Sequence, residues 1–120
     1  GHFNSKGFGS KLEREVANWI RKNITSEIEQ NVEVETGDVV DILTGNKIVE
    51  VYGDFWHCHS NMFDKNDKHP VLEQSAKIIR EQDEERKERI EQSGYDVMKV
   101  WETEWNEHKQ KAKKRIKNHL

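Results

Sequence analysis

Apolar residues recur along this chain with two different periods, and the changes of period mark its elements. Leu12, Val16, Trp19 and Ile20 fall on one helical face, and Ser10 followed by Glu13 has the S-x-x-E spacing of a capping box. A first helix is therefore expected from about Ser10 to Asn23. Ile28 to Glu35 alternates weakly, with Val32 and Val34 on one side, as a half-exposed strand does, and Gly37-Asp38 breaks it. Val39–Leu43 and Lys47–Tyr52 read as a hairpin, because Gly45-Asn46 between them suits a two-residue turn with positive backbone angles. Pro70 suits the start of a long helix whose inner stripe is Leu72, Ala76, Ile79, Asp83, Arg86 and Ile90, and Ser93-Gly94 suits its end. Tyr95 to Trp101 reads as a strand. A last helix is expected over about Thr103 to Asn118, with Trp105, Ala112 and Ile116 as its apolar contacts. The step from the long helix to the final strand requires a crossover back onto the sheet. The expected class is α/β, a mixed sheet flanked by helices.

Two aspartates interrupt this pattern. Asp41 lies inside an apolar strand and Asp83 on the inner stripe of a helix. Charged groups are seldom buried unless they are paired or hold a metal. With a two-residue turn at Gly45-Asn46, position 41 stands opposite position 50, so Asp41 and Glu50 share one face as a cross-strand pair of like charges. Such a pair is destabilising unless a cation or a proton sits between them. Asp83 has a plainer role open to it, pairing with Arg80 or Arg86 on a solvated flank. Glu13 has one too, satisfying the backbone at the start of the first helix.

Composition adds limits. A chain of 120 residues with 32% hydrophobic and 36% charged residues is one domain with a thin core. Phe3 to Gly9 is glycine-rich and aromatic without periodicity, so residues 1–9 are expected to be a flexible lead-in to a domain spanning 10–120. The net charge of −3 excludes no class of partner, but its distribution is uneven. Six Lys or Arg and no acid fall between His108 and Leu120, whereas Glu81 to Glu91 is strongly acidic. A basic segment of this kind is either a solvated helix face or an electrostatic arm for phosphates. One cysteine, Cys58, excludes an intramolecular disulfide and fits a reducing compartment. No run is apolar enough to cross a membrane and no secretory signal is visible, so a soluble cytoplasmic protein is expected.

The order α-β-β-β-α-β with acids on the central hairpin is the layout of the restriction-endonuclease-like nuclease core, here followed by a C-terminal helix. The segment Asp41 to His59, with its string Gly53, Phe55, Trp56 and His57, resembles the very-short-patch-repair (Vsr) mismatch endonucleases. It resembles still more the EDxHD homing endonucleases, whose signature falls on Glu13, Asp41, Val51, His57 and Asp83. The likeness spans roughly residues 10–105 and includes the ending Ser93-Gly94-Tyr95 to Val100-Trp101-Glu102. It implies a metal-dependent DNA endonuclease that hydrolyses phosphodiester bonds. Asp41 would hold Mg²⁺, with Mn²⁺ as a substitute, together with the backbone carbonyl of Val51 and, if the hairpin register holds, Glu50. His57 would be the general base or proton shuttle, and Glu13 and Asp83 would orient waters or hold the histidine. Phe55 and Trp56 are either core or a wedge into double-stranded DNA.

The pattern departs from the family. The catalytic lysine usual in the broader nuclease class is missing, because two residues after Glu50 stands Tyr52, where the Vsr enzymes have a second histidine. Cys58 with His59 cannot build their four-ligand zinc site. His57-Cys58-His59 also has a purely structural reading, as a satisfied loop cluster. The functional alternatives are a mismatch-nicking repair enzyme, a degenerate nuclease fold that only binds nucleic acid, and a metal-storage or zinc-structural module. So short a chain has little surface for reading a long site, which implies a separate DNA-recognition domain. The oligomeric state is open.

Overall fold

The computed structural model describes residues 5–120, with side chains from 11 onward. Helix α1 (Ser5–Asn23) is followed by strands β1 (Glu29–Glu33), β2 (Val39–Thr44) and β3 (Lys47–Tyr52). Helix α2 (Ala76–Gln92), strand β4 (Asp96–Trp101), and helices α3 (Glu102–Glu107) and α4 (Lys109–His119) complete the chain. The four strands form one sheet in the order β1-β2-β3-β4. The first two pairings are antiparallel, and β4 lies parallel to β3 after the α2 crossover. This is the expected mixed α/β sheet with helices on its faces and a helix at the C-terminus.

Each sheet face has its own apolar core. Val16, Ala17 and Ile20 of α1, Trp105 of α3, and Ala112 and Ile116 of α4 pack on Ile42, Val49, Val51, Met98 and Val100. On the other face Ile90 of α2 packs with Val34, Val40, Leu43, Ile48 and Val97. In a regular strand residues two apart share a face. Val40 and Ile42 do not, so β2 turns over at Asp41. The neighbouring strand yields at the same level. The register on either side, Gln30 with Ile42 and Val32 with Val40, puts Asn31 opposite Asp41, and Asn31 has a positive φ of 53°. Asp41 thus sits where β2 passes from one face of the sheet to the other.

Three boundaries differ from expectation. Helix α1 starts at Ser5, so Ser10 lies inside it and not at its N-cap, and residues 1–4 fall outside the described part. The long helix begins at Ala76 and not at Pro70, because Ser75 is the N-cap and accepts from the Ile78 N–H. The residues before it form a tight turn around His69, which leaves Leu72 exposed and off the inner stripe. The last helix is two, broken at His108, whose backbone leaves the helical region (φ −135°, ψ 50°). Trp105 and Ile116 still reach the same core.

His69 is fully buried and holds that turn. Its Nδ1 accepts the N–H groups of Val71 and Leu72, at 3.1 and 3.0 Å, so Nε2 carries the proton and donates to the Phe55 carbonyl at 3.0 Å. His69→Ala strands those three backbone groups and leaves a cavity, and should cost about 2–4 kcal/mol in urea denaturation. A loss within about 0.5 kcal/mol, the range of ordinary surface changes, would show that water replaces the ring.

Candidate active site

The hairpin turns as the sequence requires. Thr44 pairs with Lys47, Leu43 with Ile48 and Ile42 with Val49, and Gly45, though not Asn46, has positive φ. Continued by one pair, this register brings Asp41 opposite Glu50, both buried. Glu50 Oε2 accepts the Asp41 N–H at 3.0 Å, and Asp41 Oδ2 accepts the Val51 N–H at 2.8 Å. The two carboxylates therefore bond to backbone where β2 changes face. In an extended strand a residue's N–H and C=O project to the same side, so the Val51 carbonyl also faces β2.

Helix α2 lays a polar stripe along this edge, one residue in three. Arg80 donates to the carbonyls of Cys58 and Phe63, at 2.8 and 2.6 Å, which ties down the loop after β3. Asp83 Oδ2 lies 2.9 Å from His57 Nδ1. A carboxylate accepts, so Nδ1 donates and Nε2 is left with its lone pair. Arg86 donates to Glu50 Oε1 and, at 2.6 Å, to the Val39 carbonyl. Asp83 therefore holds the histidine, and the alternative pairing with Arg80 or Arg86 is not what forms. From the other end Asp54 takes the Thr103 N–H at 3.3 Å and gives its own N–H to Glu102, pinning the loop to the start of α3.

Tyr52 joins the two halves. Its ring stacks on His57, with centroids 4.0 Å apart. Burial raises its pKa, and the nearby charges of Asp83, Glu50 and Asp41 push the same way, so Tyr52 stays a neutral phenol. It can donate a hydrogen bond but cannot act as a base in place of a second histidine.

Glu13 is also buried, on the α1 side of the sheet. Its Oε2 accepts from Gln30 Nε2 at 3.1 Å and from Asn31 Nδ2 at 2.9 Å, and Asn31 is the residue opposite Asp41. Glu13 is thus linked to the Asp41 level through one side chain. Phe55 and Trp56 stand apart from the carboxylates. Trp56 is buried and Phe55 half-buried, and both rings pack around His69, with centroids 5.5 and 4.5 Å away. A wedge into DNA would have to leave that packing.

Two cations reach the site through tertiary packing. Arg86 falls on the inner stripe of the sequence pattern, but its pairing with Glu50 needs the packing of α2 on the sheet. Lys99 of β4 is the register partner of Glu50, and its Nζ lies 5.5 Å from the Tyr52 ring centroid and 5.7 Å from that of Trp101. Among the described residues it has no carboxylate partner. Its alternation in the strand was readable, but the parallel register that brings it here was not.

The donor set can be tested against a metal. Both Glu50 oxygens already accept from protein groups, and no cluster of three His, Cys, Asp or Glu is spaced to hold an ion among the described residues. That argues against a closed four-ligand cage. No family model, curated protein or solved structure matches the chain.

Glu50 lies above the ordinary carboxylate range. Burial is the largest cause, the charge of Asp41 the next, and Arg86 pulls the other way. A raised carboxyl binds its proton more tightly when folded, so its contribution to stability is complete below its ordinary value of 4.5 and is lost as pH rises through the folded value. Arg86→Ala removes the opposing cation. The variant should lose about 3 kcal/mol at about pH 8 and clearly less at about pH 5, where Glu50 takes up a proton instead. Equal losses in urea denaturation at the two pH values would contradict this coupling.

Proposed function

We propose that the chain is a metal-dependent DNA endonuclease domain of the EDxHD homing-endonuclease kind, hydrolysing phosphodiester bonds of double-stranded DNA. The observation that carries the reading is the meeting of Asp41, Glu50 and the Val51 N–H at the turnover of β2, next to Tyr52, on which a histidine held by Asp83 is stacked. Phosphodiester hydrolysis needs a water relieved of a proton, charge on the phosphate neutralised, and a proton for the leaving oxygen. Mg²⁺, or Mn²⁺ in its place, would be held by Asp41 and the Val51 carbonyl and would supply the neutralising charge and a more acidic water.

His57 Nε2 accepts the proton of the attacking water, while Asp83 fixes the ring and stabilises the imidazolium that forms. Tyr52 backs the ring by stacking and offers a neutral hydroxyl donor. Arg86 offsets part of the repulsion between Glu50 and Asp41. Lys99, poised on two aromatic rings, is available to a phosphate oxygen. Glu13, through Asn31, holds the β1 side of the crossing.

The domain is proposed to act in the cytoplasm, with a separate recognition domain supplying sequence specificity. Among the described residues no helix is long and apolar enough to cross a membrane.

One observation favours a second reading, a nuclease fold that only binds nucleic acid: Glu50, a potential ligand, is neutralised by Arg86. A labelled duplex separates the two. Shortened product with Mg²⁺ and none in EDTA supports the enzyme, and a gel shift with no product under Mg²⁺ or Mn²⁺ supports the binder. A preference for mismatched over matched duplex would point to mismatch repair.

A further inference from the structure

Helix α4 spends little of its charge on the protein itself. It carries six cations and no acid, and among the described residues only Arg115 of these has a carboxylate partner, Glu104. Lys109, Lys113 and Lys117 follow one another four residues apart, where like charges repel within a helix. Two of these ammonium groups stand over indole rings, Lys109 Nζ at 5.3 Å from the Trp105 centroid and Lys113 Nζ at 5.5 Å from that of Trp19. The helix's own apolar side, Ala112 and Ile116, is buried in the core. Between α4 and the end of α1 runs a groove of about 380 Å³, lined by Trp19, Asn23, Gln110, Lys113, Lys114 and Lys117. It presents ammonium and amide groups and no carboxylate.

We propose that this groove binds the sugar-phosphate backbone of a nucleic acid, as a contact separate from the Asp41 site. A row of phosphates relieves the repulsion along α4 and offers acceptors to every ammonium lining the groove. An anionic membrane fits less well. A helix that binds lipid in the interface needs an apolar face to insert, and that of α4 is occupied, while among the described residues the exposed large apolar ones, Val39, Met62, Val71, Leu72 and Ile78, lie outside α4. The choice of nucleic acid over another polyanion rests on the nuclease reading of the Asp41 site, whereas the charge and shape of the groove do not.

The test is fluorescence anisotropy of a labelled duplex in EDTA, across a salt series, with wild type and two variants. Lys114→Gln with Lys117→Gln changes exposed residues only, and the triple variant adds Lys113→Gln. The triple variant should bind at least about ten-fold more weakly at low salt, with a salt dependence shallower by about two to three. The double variant should fall between it and wild type. Unchanged affinity and slope in the triple variant would overturn the proposal, as would wild-type binding in the double variant when the triple is unfolded by circular dichroism. Lysine-dependent binding to phosphatidylserine vesicles with none to duplex would also overturn it. If the variants lose duplex binding while wild type fails to cleave with Mg²⁺, the groove stands and the nuclease reading falls. If wild type cleaves and the variants bind unchanged, the reverse holds.

Discussion

If the site is the proposed metal-dependent nuclease, Asp41→Ala should slow Mg²⁺-dependent cleavage of DNA by at least about a thousand-fold, the several kcal/mol that a metal-organised site supplies, and should leave the protein folded. Asp41 is the carboxylate at the strand crossing whose replacement removes both the anion facing Glu50 and the oxygen that accepts the Val51 N–H. The stability cost is small because two effects oppose. An unpaired backbone N–H costs about 1–3 kcal/mol, and relief of the repulsion with Glu50 returns part of it. A loss of activity at unchanged thermal stability therefore reports on chemistry. Asp41→Asn keeps the shape and an acceptor for Val51 while removing the charge, and should be nearly as inactive as alanine. Near-wild-type cleavage by Asp41→Asn would mean that Asp41 serves only the strand crossing.

On the same proposal His57→Ala should reduce cleavage by about 10²–10⁴-fold, the usual contribution of a positioned general base. Asp83 acts through His57, so Asp83→Asn should cost less, and the double variant should be no slower than His57→Ala alone. Steady-state nicking rates of the three variants check this. If the two losses multiply, Asp83 has a role apart from the ring it holds 2.9 Å away.

The sheet was readable because a two-residue turn fixes register. Gly45-Asn46 put position 41 opposite 50, and one glycine with positive φ was enough for that pairing to follow. Asp83 was visible as an acid on an apolar stripe, although its partner was not, because His57 reaches it from a loop outside the helix. The turnover of β2 left no mark in the sequence. It coincides with a positive φ at Asn31, in another strand, which asparagine tolerates but does not announce. Pro70 misled because proline opens helices and tight turns alike, and here the buried His69 decides in favour of the turn. The break at His108 carries neither glycine nor proline. Arg86 and Lys99 reach the site through a helix packing and a parallel register, which are tertiary facts.

The most direct measurement is the conversion of supercoiled plasmid to open circles by wild type and Asp41→Ala purified side by side, with Mg²⁺ and with EDTA. Nicking by wild type with Mg²⁺ alone, and none by the variant, is the expected result. Intact plasmid with wild type under both Mg²⁺ and Mn²⁺, or equal nicking by the two proteins, would contradict a cleavage site at Asp41.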